Sequence, residues 1–145
     1  MIAVIIVAVS MVLAVALFIA GIEIQVMGIK NAVKAELASL SIKISDDTYQ
    51  SLREGNFDAY RDKLNSSSSY ISALTSDFYS SLESNIKLHT ETYDIENVRL
   101  SFTNDGKSLV YTFKCDVRFR VTILGDVFPE ITRSVTIEGR HNAKY

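Results

Sequence analysis

MIAVIIVAVSMVLAVALFIAGIEIQVMGIKNAVKAELASLSIKI, residues 1–44, decides the fold. No charged side chain occurs before Glu23, and the apolar run from Ile2 to Ile22 is about 20 residues long. At about 1.5 Å per residue a helix of that length matches a hydrocarbon layer roughly 30 Å thick. The helical pattern does not end with the run. Ile22, Val26, Ile29, Val33, Leu37, Leu40 and Ile44 recur at alternating steps of four and three, one stripe of an amphipathic helix. The spacing predicts one rod from Met1 to about Ile44, on the order of 65 Å long, with an uncharged first half.

Three readings of the uncharged tip compete: a cleaved signal peptide, a plain transmembrane anchor, and the assembly helix of a filament subunit. A signal peptide needs a basic n-region and a small-residue cleavage site, and only Ala14-Val15-Ala16 approximates either. An anchor normally carries Lys or Arg at its cytoplasmic edge, and only a terminal amine precedes Ile2. The expectation is that a charged leader has been removed just before Met1. By hydropathy alone a plain anchor is the commonest of the three.

Outward from the rod, the remainder reads as a compact α+β domain. All 15 Lys and Arg and all 17 Asp and Glu lie from Glu23 onward, so the net charge of -2 belongs to a solvated domain behind an uncharged tip. No basic nucleic-acid footprint is evident. Asp46 and Asp47 are expected to end the rod, Asp58 to Leu64 to form a short helix after Gly55-Asn56, and Ile71, Leu74, Phe78, Leu82 and Ile86 to line a helix packed on the rod.

After Thr90 the period falls to two. Val98, Leu100 and Phe102 face one way; Asn104-Asp105-Gly106 supplies a hairpin turn. The return strand alternates Leu109, Tyr111, Phe113, Cys115, Val117, Phe119, Val121 and Ile123 with polar residues, and Gly125-Asp126 and Pro129 break it. Ile131, Val135 and Ile137 mark a third strand. A sheet with one apolar face needs cover, and the rod's stripe and the Ile71 helix supply it. The expected fold is α+β: a long N-terminal helix with a protruding apolar half, plus short helices on a three- to four-stranded antiparallel sheet. In residues, 1–22 is the transmembrane or filament-core half. The globular domain, 23–145, comprises the amphipathic half 23–44, a helical region 46–89 and a β-meander 95–140.

Small residues on the rod share one face. Ala3, Ser10, Ala14, Gly21, Gly28, Ala32 and Ala35 are separated by 7, 4, 7, 7, 4 and 3. Within lipid, joining two helices brings no hydrophobic gain, so association rests on close packing, which small-residue faces permit. Ala and Gly are also common in membrane helices generally. Gly28 lies beyond the apolar run, where a helical Gly costs about 1 kcal/mol relative to Ala and calls for an offset such as a close neighbour.

Chemistry-bearing motifs are sparse, and no enzyme activity or cofactor is expected. His89 and His141 stand in no metal-ligand spacing and read as surface residues. Asn104-Asp105-Gly106 lacks the further ligands of a calcium loop. Cys115, the only cysteine, falls on the inward strand face and reads as a small buried hydrophobe, and Tyr111 reads as core. Asn65-Ser66-Ser67 fits an N-glycosylation sequon, making Asn65 a candidate acceptor; the adjoining serines could equally form a joint or O-linked acceptors.

An uncharged first helix, its amphipathic continuation and a following antiparallel sheet together resemble the type IV pilin-like superfamily. GIEIQVMGIKNAVKAELASLSI, residues 21–42, is most similar to the Tad branch and its TadE-like pseudopilins, in which a glycine and an acidic residue close the apolar run before an Ala-rich, Lys-bearing helix. The layout covers the whole chain; the motif is mostly hydrophobic pattern. One position departs: such pilins usually carry glutamate fifth in the mature chain, and Ile5 stands there if Met1 is the mature start. The family's carboxylate-to-amine pairing then has no carboxylate. Archaeal-type pilins lack that glutamate too, so the resemblance fixes no domain of life.

The resemblance implies a homo-oligomeric helical filament at the cell surface, subunits held in the membrane by residues 2–22 before assembly, a secretion-type ATPase machine and a prepilin peptidase. Two alternatives stand beside a filament subunit: a minor pseudopilin, and a single-pass membrane-anchored extracytoplasmic binding or accessory protein.

Overall fold

The computed structural model describes residues 1–65, 68–104, 108–123 and 126–142. Helix α1 runs Ile2–Arg53, α2 Phe57–Lys63 and α3 Ser69–Asn85; strands β1 Tyr93–Asn104, β2 Ser108–Ile123 and β3 Asp126–Asn142 follow. The sheet has three strands in the order β1-β2-β3, both pairs antiparallel. This is the expected α+β arrangement, at the lower of the two strand counts.

Helix α1 passes straight through Asp46 and Asp47, contrary to the expected stop there. Both aspartates are exposed, so their charges point to solvent and give the backbone no reason to turn. The buried stripe extends by a further turn to Thr48, whose Oγ1 donates to the Ile44 carbonyl at 2.6 Å. Asp47 is used in docking: its carboxylate accepts from Tyr70 Oη at 2.9 Å and its carbonyl from Lys63 Nζ at 2.8 Å. The helix ends two residues before Gly55, whose φ of 70° is the left-handed conformation that terminates helices. At the standard rise, 52 residues span about 78 Å.

Ser68 caps α3, its hydroxyl accepting from Ile71 N at 3.2 Å. Ile71, Leu74, Phe78 and Leu82 form the buried face of α3, and Ile86 is buried at its C-cap. Phe78 meets Phe113 of β2 edge-on at 5.8 Å between ring centroids. The core therefore lies between the inward sheet face and the layer made by α1 and α3, with Val33, Leu37, Leu40 and Ile44 at its centre.

Central strand β2 alternates most strictly because it has a partner on each side: Leu109, Tyr111, Phe113, Cys115, Val117, Phe119 and Val121 are buried. The edge strands carry the irregularities. In β1 the register steps between Glu96 and Arg99, and Asn97 there adopts φ 54°, a conformation Asn tolerates. In β3 the partner jumps from Phe128 to Ile131 across two steps of β2, so Pro129 lies within the strand at a bulge and does not break it. Proline has no N–H to give a ladder, and an edge-strand bulge is where sheets accept it. Asp126 likewise opens β3, paired with Ile123. Asp105, Gly106 and Gly125, assigned to turns, lie outside the described residues.

Gly139 has a local cause. A Cβ there would sit 2.2 Å from Tyr111 Cε2, so the buried tyrosine ring fills the space over the glycine.

Candidate functional site: the uncovered faces of the long helix

From Ile2 to Leu17 every residue of α1 is exposed, and only Phe18 and Gly21 are partly covered before Ile22. Among the described residues one helix, α1, is long and apolar enough to cross a membrane. Twelve large apolar side chains between Ile2 and Ile19 lie uncovered. Covering them is worth on the order of 10–20 kcal/mol, as much as a domain's whole folding stability. Its length and apolar composition suit insertion into a membrane. Ser10, the one hydroxyl in the segment, is satisfied within the helix by donating to the Ile6 carbonyl at 2.8 Å.

Chain topology sets where cover begins. Ile22, Ile29, Val33, Leu37, Leu40 and Ile44 are buried and Val26 is half-buried, so the rod-to-sheet stripe lies against β3, α3 and the core. Charged contacts fasten the same side. Glu23, the first charge in the chain, accepts from Arg133 Nε of β3 at 2.9 Å. Glu36 accepts from Ser81 and Asn85 of α3, both at 2.7 Å, and Lys43 pairs with Asp77, whose hydrogen bond raises the lysine's pKa. The apolar tip thus begins at a pinned junction.

At about 100° per residue, the seven small residues occupy an arc about 60° wide, centred about 130° round the helix from the buried stripe. Ala3, Ser10, Ala14, Gly28 and Ala35 are exposed; Gly21 and Ala32 are half-buried. A Cβ added at Gly21 or Gly28 would meet nothing within 4 Å. Unlike Gly139, neither glycine is explained by packing inside this chain.

A second arc escaped the sequence reading. Ile24 and Met27, just past the apolar run, are 71% and 64% exposed, and Ile42 and Tyr49, well into the domain half, are both 63% exposed. They sit about 160° from the buried stripe, pointing away from the sheet. Gly28, Ala35, Ile42 and Tyr49 follow one another at sevens, a signal present in the sequence but overshadowed by the stronger inward stripe. On the outward side Ile24 and Met27 extend the uncovered tip by about one turn, Asn31 and Lys34 interrupt it, and Ile42 and Tyr49 stand exposed beyond them.

The remaining singled-out residues lie elsewhere. Asn65 is exposed between α2 and α3, while Ser66 and Ser67 of its sequon are outside the described residues. His89 is exposed and contacts Asp94 at 3.1 Å. His141, expected at the surface, is buried on the inward face of β3 opposite Leu109; its Nδ1 lies 3.4 Å from Ser45 Oγ, and burial lowers its pKa. The third strand's alternation runs on past Ile137 and carries His141 inward with it. Cys115 is buried, which pushes its thiol up to about 11. Among the described residues no group of three or more His, Cys, Asp or Glu is placed to hold a metal ion.

No protein-family model, curated protein or solved structure gives a significant match to the chain. The layout itself, a long apolar N-terminal helix followed by a three-stranded antiparallel sheet, is pilin-like.

Proposed function

We propose that this chain is the structural subunit of a type IV pilus-like filament, of the Tad kind, whose core is a bundle of α1 helices. The observation that carries the reading is the surface of α1 left uncovered among the described residues: an apolar tip, with Ile24 and Met27 just past it and Ile42 and Tyr49 exposed further along the same side. A membrane anchor needs only the first. Ile42 and Tyr49, about 30 Å or more past Ile22 at the standard rise, would stand in water unless a neighbouring rod packs there, and Gly28 would weaken the helix without an offset. Contacts between different faces of identical subunits propagate as a helix wherever the rotation between neighbours does not close into a ring. Extraction from lipid is then feasible because the tip passes directly from one apolar environment to another.

Before assembly the subunit sits in the membrane through residues 2–22, with its sheet domain outside; afterwards it belongs to a surface filament. A secretion ATPase and a prepilin peptidase are the partners this reading requires, and catalysis forms no part of it. Replacing Gly28 with Leu tests it. The domain stays folded and membrane-inserted while filaments disappear; filaments at normal abundance would refute close rod packing.

The continuity of α1, packed on the domain from Ile22 onward, also suits a single-pass anchored binding module, because it ties the domain's pose to that of the apolar segment. Under that second reading, exchanging residues 2–22 for an unrelated apolar segment preserves function. Under the filament reading, the exchange abolishes assembly. A minor pseudopilin would share every feature above and differ in abundance within purified filaments.

A further inference from the structure

The solvent face of the sheet carries a feature that filament packing does not use. Register places Arg99 of β1 directly opposite Lys114 of β2, and Lys114 opposite Thr136 of β3. Like charges directly opposite in an antiparallel pair are destabilising. Neighbouring cations are neutralised: Arg118 by Glu96 at 2.7 Å and Glu130 at 3.2 Å, and Arg120 by Asp94. Among the described residues no carboxylate reaches ion-pair distance of Arg99 or Lys114. Of the two same-face carboxylates one row away, Asp116 is engaged on both oxygens, by Ser134 at 2.7 Å and Asn97 at 2.9 Å, and Glu138, opposite Thr112, forms no ion pair with Lys114.

An open hollow of about 350 Å³ lies beside the β1 bulge, and its lining includes Asn97, Arg99, Lys114, Asp116, Ser134 and Thr136. That volume is at the lower end of the range for small-molecule sites, which run from about 300 Å³ upward. Arg99, Lys114 and Thr136 form one row of it, and Asp116 and Ser134, with Asn97 bonded to Asp116, form the next. Arg99 offers a planar fork for an oxyanion and Lys114 a point charge. Asp116 would repel a bare polyanion yet accept from hydroxyl groups.

From this juxtaposition we infer that the hollow at the β1 bulge binds an acidic saccharide, its carboxylate held by Arg99 and Lys114 and its hydroxyls by Asp116, Ser134 and Thr136. The chemistry asks for one anionic group and several hydroxyl donors on the same small ligand, which a uronic acid unit supplies and inorganic phosphate does not. The inference is independent of filament assembly, since the site lies wholly within one chain on the sheet face turned away from α1.

The test is amide-resolved NMR on the full chain in detergent micelles, titrated with a galacturonic acid disaccharide, its neutral galactose counterpart and inorganic phosphate, each to about 10 mM, where weak sites of a few kcal/mol saturate. The expected result is saturable shifts at residues 97–99, 114–116 and 134–136 with the acidic disaccharide, at least about tenfold tighter than with either control. The R99T/K114T variant loses this response. Because that variant also removes a like-charge pair, it melts no lower than the parent, which separates a binding role from a structural one. Absence of shifts at these amides overturns the inference, as does an unchanged response in R99T/K114T. Phosphate binding as tight as the disaccharide overturns the saccharide assignment.

Discussion

Substituting Gly28 with Ala separates the rod's two roles by sign. Gly28 lies in a helix interior with ordinary helical backbone, and an added Cβ meets nothing within 4 Å. Within the single chain, Ala therefore brings only its better helix propensity, about 1 kcal/mol. For a domain of this size that gain raises the melting temperature by about 3–6 °C. Circular dichroism melts of the full chain in detergent, parent against Gly28→Ala, read the shift directly. Under the filament reading the same substitution acts in the opposite direction in cells: a methyl group on the face where rods would approach should reduce filament yield, and Gly28→Leu should abolish it. A stabilised subunit that assembles poorly is a result that loss of folding cannot produce. A lower melting temperature for Gly28→Ala would show an internal contact at that site and refute the reasoning. A Leu variant that still forms filaments would refute it from the other side.

Gly139→Ala should destabilise the domain by about 1–3 kcal/mol, because the new Cβ collides with the buried Tyr111 ring; a Tyr111→Leu background should recover most of that loss in a double-mutant melt series. Phe78→Ala, which empties the contact with Phe113, should cost about 3–5 kcal/mol in urea unfolding. His141 has a folded-state pKa below its unfolded value, so the unfolded chain takes up a proton first as pH falls below about 6.5, and stability declines from there down to the folded pKa. His141→Gln should flatten the stability profile in that window; an unchanged profile would show that His141 is not the group responsible. Asp94, held low by hydrogen bonding to His89 and the charge of Arg120, and Asp116, held low by Ser134 and Asn97, act in a separate window. Their contribution is complete above about pH 4 and lost in stronger acid.

Much of this architecture was legible because two periodicities dominate the chain. The inward stripe from Ile22 to Ile44 and the alternation from Leu109 to Val121 are long, strict patterns, and both are buried as their spacing requires. Where reading failed, backbone geometry or a weaker pattern was responsible. Asp46 and Asp47 look like a stop, but only the positive φ at Gly55 supplies one. Pro129 looks like a break until a bulge on an edge strand accommodates it. The start of β1 at Tyr93 is hidden because the bulge at Asn97 shifts the alternation by one residue before it resumes. For the candidate site, the small-residue face was visible as spacing, whereas the outward arc of Ile24, Met27, Ile42 and Tyr49 emerged only once the sheet's position showed which side of α1 was left open. The Arg99 and Lys114 pair needed strand register, which no single strand's pattern contains.

The central claim is that the uncovered faces of α1 are contacts between copies of this chain. Electron cryo-microscopy of surface material from cells producing the full chain tests it most directly. The account predicts helical filaments with α1 bundled at the axis and a neighbouring rod against Gly28 and Ile42. Isolated subunits dispersed in the bilayer, with only lipid against the tip and only water against Ile24, Met27 and Ile42, would contradict it.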